Sequence, residues 1–322
     1  MATVTHSQAT PIPTTDLRHQ RIAFAAMAAI FILAPLVVYP VFMMKVMCFA
    51  LFACAFNLLI GYVGLLSFGH AMFFGTAGYA SAHAAKVWGF TPELAILFAV
   101  ACSTLLGWVA GSLAIRRQGI YFAMITLALA QMMYFFYLQA PFTGGEDGIQ
   151  AVPRGKLFGL IDLRPASTMY PFVLIIFLGG FLLIYRVVHS PFGQVLKAIR
   201  ENENRAISLG YDVDKYKLLA FVLSAALSGL AGGTKSIVFQ LASLTDVHWT
   251  MSGEVVLMTL LGGLGTIFGP VVGAAIIITM QNYLAQLGAW VTVVQGVIFV
   301  VCVLAFRRGV VGEIAHAIRK PL

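Results

Sequence analysis

Residue patterns that could support catalysis are sparse in this chain. The segment 232–236 (GGTKS) is similar to part of a phosphate-binding loop, but Thr234 interrupts the required Gly-Lys-Ser/Thr order and no predicted strand precedes it. His70, His83 and His248 lie in separate segments, without the i, i+3 or i+4 spacing of a metal-ligand pair on one helix. We therefore expect no catalytic residues, no cofactor and no metal site, and we expect any ATP-driven step to need a partner subunit.

Glycine residues and polar residues within the apolar segments say more about function than these candidate catalytic patterns do. The segments Gly64–Gly69 (GLLSFG) and Gly263–Gly269 (GLGTIFG) are alike, with Ser67 and Thr266 each three positions after the leading glycine. Matched interruptions in the two halves of a chain indicate a transport pathway in repeat-built transporters. We predict a substrate pathway near the following residues: Asn57, Ser67, Phe68, Gly69, His70, Gly263, Gly265, Thr266 and Gly269.

The same features are compatible with two different roles. Close helix packing would equally use the four-residue spacing of Gly265, Gly269 and Gly273, and His70 or Glu254 could bond helices together. In that case the chain would be a structural membrane protein without a pathway. An ion-coupled transporter would normally carry a pair of intramembrane carboxylates, whereas the apolar segments show Glu254 alone.

The elements that position these residues must be membrane helices. Of the 322 residues, 60% are hydrophobic and 10% are charged, against about 25% charged in an ordinary soluble domain. Long apolar runs in a bilayer must be helical, because unpaired backbone amides are not tolerated there. We predict an all-α polytopic membrane protein with about ten transmembrane or re-entrant helices, at about 22–43, 46–66, 67–88, 94–115, 119–140, 169–187, 217–241, 253–265, 267–287 and 289–306. Two of these segments, 67–88 and 253–265, need not cross the whole bilayer.

The distribution of charge orients this chain. With the N-terminus inside, fourteen Lys and Arg residues are cytoplasmic and five are outside, the asymmetry that the positive-inside rule predicts. The outside set is Lys45, Lys86, Arg154, Lys156 and Arg164. Both termini are therefore expected in the cytoplasm, as tails at 1–21 and 307–322 around a transmembrane domain at 22–306. The net charge of +8 then reflects orientation, and no nucleic-acid partner is expected.

Two loops are long enough to have a function, one outside at about 141–168 and one inside at about 188–216. The inner loop predicts a helix that is capped by Ser190, begins at Pro191 and ends at Gly210. Asn202 or Asn204 is positioned to split it into two shorter helices. It is either a charged surface connection or an amphipathic helix that docks in a groove of a cytoplasmic partner.

Several segments together resemble one family, the LivM-type permease subunit of bacterial branched-chain amino acid ABC transporters. The similar stretches are Gly64–Gly75, Gly119–Ala128, Thr143–Gly148, Pro191–Glu203, Leu209–Tyr211 and Tyr216–Phe221. Their order and spacing cover nearly the whole chain after residue 45.

The resemblance implies an importer of leucine, isoleucine and valine in the bacterial inner membrane. Its other parts would be a second, LivH-type permease, two ATPase subunits of the LivG/LivF type and a periplasmic binding protein facing the 141–168 loop. The inner helix would be the coupling helix, with these residues at the ATPase contact: Pro191, Phe192, Gly193, Leu196, Ile199, Arg200, Glu201, Ala206 and Gly210. The E-A-A-x-x-x-G box of ABC permeases is only partly matched at 204–210, by Ala206 and Gly210. Relatives carry urea, short amides or aromatic acids, and the sequence does not distinguish these cargoes.

Overall fold

The computed structural model describes residues 14–285, 290–305 and 309–318, which are mostly helical. The helices are α1 Thr14–Leu33, α2 Pro40–Ile60, α3 His70–Lys86, α4 Pro92–Ala114, α5 Ile120–Gln139, α6 Ala166–His189, α7 Pro191–Glu201, α8 Glu203–Ser208, α9 Val213–Phe239, α10 Trp249–Gly262, α11 Gly269–Leu284, α12 Trp290–Ala305 and α13 Gly309–Ile318. Single 3-10 turns lie at Ala34–Leu36, Pro141–Thr143, Gly145–Asp147 and Leu244–Asp246. The strands are β1 Ile149–Gln150, β2 Lys156–Leu157, β3 Ile161–Asp162 and β4 Leu241–Ala242. The basic residues Arg307, Arg308, Arg319 and Lys320 of the predicted cytoplasmic tail lie outside the described residues.

Five of the described helices are long and apolar enough to cross a bilayer, namely α2, α4, α5, α6 and α9. The chain is therefore an all-α, multi-pass membrane protein. Helix α3 has 17 residues and α10 has 14, so at about 1.5 Å per residue both are shorter than the roughly 30 Å of hydrocarbon. These helices correspond to the two segments whose sequence makes a complete crossing doubtful.

The boundary between the first two helices differs from the predicted one. The sequence predicts helices at 22–43 and 46–66 with Lys45 in an outer loop, but α1 ends at Leu33 and α2 begins at Pro40. Proline suits the first helical position, where no intrahelical N–H bond is made, and Tyr39 before it is non-helical. The predicted position of Lys45 between two helices is therefore wrong, because this residue lies inside α2, more than one turn from its start.

Helices α2 and α9 form the centre of the bundle. Helix α9 packs against α2, α3 and α4, and small residues permit very close approach. A Cβ atom at Gly232 would lie 2.0 Å from the carbonyl oxygen of Phe74, and one at Gly107 would lie 2.4 Å from the Cβ atom of Ala225. Gly232 of α9 thus lies against the backbone of α3, and Gly107 of α4 lets the Ala225 side chain of α9 lie against the backbone of α4.

Contacts between helices define two ends of the bundle. Helix α1 runs antiparallel to α6, because the start of α6 donates a hydrogen bond to the end of α1. Helices α7 and α8 follow α6 and lie beside the C-terminus of α2, where Arg200 donates a hydrogen bond to the carbonyl oxygen of Gly61. We call this the α7 end and the opposite one the loop end. Gly309 contacts Gly263 beside these residues, so α13 begins at the α7 end as well.

The loop end holds the segment between α5 and α6, at residues 140–165. Strand β1 pairs antiparallel with β4, with Ile149 opposite Ala242, and β2 pairs antiparallel with β3. The Nζ atom of Lys86 donates to the carbonyl oxygen of Gln150 over 2.8 Å, and Arg154 donates to that of Val238 over 2.8 Å. The long loop is thereby fixed to the ends of α3 and α9.

Candidate functional site

The first candidate element is the interruption between α2 and α3, residues 61–69, which we call the first break. Gly64 turns the chain with φ at +84°, a conformation that favours glycine. The hydroxyl oxygen of Ser67 accepts a hydrogen bond of 3.2 Å from the N–H of Gly69, just before α3 begins. The N–H of Phe68 donates to Oγ1 of Thr126 in α5 over 3.2 Å. The first break thus holds the start of α3 against α5.

The second break, residues 263–268 between α10 and α11, is built in a similar way. Gly263 and Gly265 have φ values of +122° and +74°. The hydroxyl group of Thr266 donates to the carbonyl oxygen of Gly263 over 2.8 Å and accepts from the N–H of Gly269 over 3.1 Å. Thr266 therefore supports the start of α11 as Ser67 supports the start of α3.

Asn57, in the last turn of α2 just before the first break, joins this helix to the second break. Its side chain is 2% exposed. Its Nδ2 atom donates to the carbonyl oxygen of Thr266 over 2.8 Å, and its Oδ1 atom accepts from the N–H of Gly265 over 3.1 Å. Of the predicted pathway residues, Asn57 of the first half is thus hydrogen-bonded directly to Gly265 and Thr266 of the second half, whereas Ser67, Phe68 and His70 bond to other partners.

His70 occupies a different, enclosed position at the first residue of α3. Its Nε2 atom lies 2.9 Å from the hydroxyl oxygen of Ser224, whose own proton is donated to the carbonyl oxygen of Ala55 over 2.5 Å. Nε2 is therefore the protonated nitrogen. The rings of Phe56 and Phe73 meet the imidazole edge-on at 5.0 and 5.6 Å. His70 is fully buried and links α3 to α9, without access to the surface in this conformation.

The inner loop forms two helices, with capping and boundary residues at the predicted positions. The hydroxyl oxygen of Ser190 accepts a hydrogen bond from the N–H of Gly193, and Pro191 is the first residue of α7. Asn202 separates α7 from α8, and its Oδ1 atom caps α8 by accepting from the N–H of Arg205 over 3.0 Å. Gly210 ends α8 with φ at +87°. The predicted cap, start, split and stop are all confirmed.

One face of α7 and α8 packs on the bundle. Leu196 is buried against α9, and Ile199 packs with Ala206 and Val213 in a small separate cluster. Phe192 stacks on Tyr216 with ring centroids 5.7 Å apart. This face fixes the position of both helices relative to α9.

The last turn of α8 and the residues that follow it leave apolar groups exposed. Ile207 is 54% exposed, Leu209 is 68% exposed and Tyr211 is 40% exposed. They lie among charged residues at the α7 end. Beside them, hydrogen bonds from Lys215 lower the pKa of the Asp212 carboxyl group.

Arg200 connects α7 to both breaks. Its guanidinium group donates to the carbonyl oxygen of Gly61, at the C-terminal end of α2, where a positive charge also complements the helix dipole. Its Cγ atom lies 3.2 Å from the position of a Cβ atom at Gly64, and its Nη1 atom lies 3.1 Å from that of a Cβ atom at Gly265. Together with Lys197 and Glu201 of α7, it lines a cavity of about 400 Å³ between α7 and the breaks. A movement of α7 would therefore displace residues of both breaks.

Glu203 is a connecting residue that the sequence interpretation missed. Its Oε1 atom lies 2.6 Å from Nζ of Lys217 in α9 and accepts from Nε2 of Gln118, before α5, over 2.7 Å. The Lys217 side chain is only 3% exposed. No local pattern signals this arrangement, because the three residues come from three separate segments.

The residues 232–236 lie within α9 and are helical. Their N–H groups serve the helix, so they cannot cradle a phosphate. Lys235 instead forms a buried ion pair with Asp246, with Nζ and Oδ2 2.6 Å apart.

Glu254 is not the sole acidic side chain in this region: it accepts a hydrogen bond from Gln281 and lies in the electrostatic field of Lys45 and Asp246.

Comparison with known proteins gives a consistent family relationship. Residues 38–303 match the family model described as the permease component of branched-chain amino acid transport systems. The chain is 24% identical over 286 residues to the high-affinity branched-chain amino acid transport system permease protein LivM of Salmonella typhimurium, covering 82% of this chain and 67% of that protein.

Two relatives that match a smaller part of the chain extend the comparison. The probable branched-chain amino acid transport permease protein LivH of Methanocaldococcus jannaschii is 33% identical over 38% of this chain and 36% of its own length. The ribose import permease protein RbsC of Bacillus subtilis is 30% identical over 56% of this chain and 58% of its own length. No solved structure matches the chain.

Proposed function

The chain belongs to the branched-chain amino acid transport permease family and is a permease subunit of an ABC importer, and we propose that it carries leucine, isoleucine and valine across the bacterial inner membrane. The substrate proposal is supported by the similarity to LivM over most of the chain. Urea, short amides and aromatic acids are the alternative cargoes, and the partial similarity to a ribose permease indicates that related permeases serve chemically different solutes.

The observation that carries the proposed mechanism is the position of Arg200. This residue of α7 contacts Gly61, Gly64 and Gly265, and Asn57 ties the end of α2 to the second break. We assign α7 and α8 as the coupling helices, which the ATPase subunits push when they close. The movement would pass through Arg200 to the breaks and open the pathway alternately to each side of the membrane.

The orientation follows from this assignment. The α7 end would face the cytoplasm together with both termini, in agreement with the excess of Lys and Arg residues assigned to that side. Ile207, Leu209 and Tyr211 would contact an ATPase subunit, because exposed apolar groups on a charged surface favour a protein partner. The loop end would then face the periplasmic binding protein, and a second, LivH-type permease would complete the membrane part.

The proposed substrate is tested by uptake of radiolabelled leucine and urea in cells that lack this chain. Loss of leucine uptake, restored by the wild-type chain, is the expected result, with urea uptake unchanged. Loss of urea uptake alone would assign the permease to the alternative cargo. Unchanged uptake of every solute would favour a structural membrane protein, a conclusion that the absence of a neighbouring gene for an ATPase would strengthen.

The proposed coupling is tested by bulky substitutions at Gly210 and Ala206. Gly210 has a positive φ, in which a side chain costs about 1–2 kcal/mol, and Ala206 is packed against Ile199 and Val213. Gly210→Val and Ala206→Phe are expected to tilt α8, so that ATP hydrolysis continues while leucine uptake falls. Normal coupled uptake in both variants would refute the docking role of these helices.

A further inference from the structure

A cavity of about 480 Å³ lies at the α7 end between the first break and the first two turns of α5. Its size falls in the range of small-molecule sites, about 300–1,000 Å³. Among the described residues no charged side chain lines it, and the lining residues are Gly64, Leu65, Leu66, Phe68, Gly119, Ile120, Ala123, Met124 and Leu127. We call its two sides the break wall, residues 64–68, and the α5 wall, residues 119–127.

Each wall is attached to a different coupling helix. Arg200 of α7 holds the break wall through its hydrogen bond to Gly61 and its contact with Gly64. Gln118, immediately before the α5 wall, donates a hydrogen bond of 2.7 Å to Glu203 of α8. Glu203 is itself fixed to α9 by the 2.6 Å ion pair with Lys217.

The two coupling helices are joined by a single residue. Asn202 is extended, with φ of −158° and ψ of 99°, between the end of α7 and the start of α8. The relative direction of α7 and α8 is therefore set at this position. A change of angle there would move the attachment points of the two walls relative to each other.

Among the described residues, the hydrogen bond that joins the two walls lies at the deep end of the cavity. The hydrogen bond from Phe68 to Thr126 joins the two walls, and a Cβ atom at Gly69 would lie 2.8 Å from the carbonyl oxygen of Thr126. At the other end of the α5 wall, Gly119 has φ of 61° and ψ of −131°, and an added Cβ atom there would meet nothing within 4 Å. The start of α5 therefore has a glycine with a positive φ and open space beside it.

Building on the proposed function, we propose that this cavity is the inner mouth of the pathway and that the angle between α7 and α8 at Asn202 sets its width. Arg200 transmits the movement of α7 to the break wall, and the Gln118–Glu203 hydrogen bond transmits that of α8 to the α5 wall. The apolar lining suits the aliphatic side chain of a branched-chain amino acid. The described residues that line it offer no charged partner to the ammonium or carboxylate group of the substrate.

Cross-linking across the mouth measures its width. Leu66→Cys and Ile120→Cys place one thiol on each wall, at positions that are 37% and 77% exposed, in a chain otherwise freed of cysteine. A short bifunctional thiol reagent is applied to the assembled transporter without nucleotide and with ATP trapped on the ATPase subunits. The test variant is Gln118→Ala. The matched control is Gln139→Ala at the far end of α5, where the glutamine side chain makes no hydrogen bond to the described residues.

The expected result is a cross-linking yield that differs between the two nucleotide states in the wild-type background and in Gln139→Ala. In Gln118→Ala the difference disappears and leucine uptake falls at least about fivefold, while ATP hydrolysis stays within about twofold, because one charge-assisted hydrogen bond has been lost. If Gln118→Ala responds to ATP and transports as the wild type does, the inner-mouth mechanism is refuted and the proposed function stands. If the wild-type transporter itself shows neither ATP-dependent uptake nor a nucleotide effect, the proposed function fails.

Discussion

Asn57 should hold the end of α2 to the second break, and replacing it should lower the stability of the folded protein. In Asn57→Ala, the carbonyl oxygen of Thr266 and the N–H of Gly265 lose their partners at 2.8 and 3.1 Å. Each lost hydrogen bond removes about 0.5–1.5 kcal/mol, and a buried backbone group left unpaired costs about 1–3 kcal/mol. Since both backbone groups are only partly buried, we expect a total loss of about 2–3 kcal/mol.

The assay is thermal unfolding of the detergent-solubilised transporter, followed by loss of the intact particle on size-exclusion chromatography. The expected loss corresponds to a decrease in Tm of roughly 5 °C or more for a chain of this size. Gly61→Ala should act in the same direction, because a Cβ atom there would lie 2.3 Å from Oδ1 of Asn57. Asn282→Ala, at an exposed position of α11, is the control and should not change Tm. An Asn57→Ala protein that melts within about 1 °C of the wild type would refute the reasoning.

Two further predictions concern the charged residues. Arg200→Met should lower leucine uptake about tenfold while ATP hydrolysis in the same proteoliposomes stays within about twofold, since the link from α7 to Gly61 is worth about 1.5 kcal/mol or more. Gln194→Met, at an exposed position of the same helix, is the control, and full uptake by Arg200→Met would contradict the coupling role. Lys235→Met should destabilise the protein by about 3–5 kcal/mol because it leaves a buried carboxylate unpaired, whereas combining it with Asp246→Leu should restore most of the loss. Melting curves of both proteins test this, and equal stability of the single and double variants would count against it.

The features that the sequence predicts correctly are local. Ser190, Pro191, Asn202 and Gly210 act within a few residues of their own position through capping and backbone preference, so their spacing is sufficient to place α7 and α8. The apolar runs likewise predict an all-α membrane protein. Lys45 is misplaced because an apolar run gives no sharp boundary, and Pro40 is the better marker of the helix start.

The connections at the candidate site could not be predicted, because they join distant parts of the chain. The hydrogen bond between Arg200 and Gly61 spans 139 residues, and the one between Asn57 and Gly265 spans 208. Similar glycine-rich segments indicate two related breaks, but no periodicity specifies which side chain lies between them. For the same reason the role of Glu203 becomes visible only when α5, α8 and α9 are placed side by side.

The most direct test of the proposed function is leucine accumulation by the complete transporter in proteoliposomes, with the binding protein outside and ATP inside. We predict that labelled leucine accumulates against its gradient, that unlabelled isoleucine and valine compete while urea does not, and that an ATPase subunit unable to hydrolyse ATP abolishes accumulation. Accumulation that continues without ATP hydrolysis, or competition by urea instead of isoleucine and valine, would contradict the proposed function.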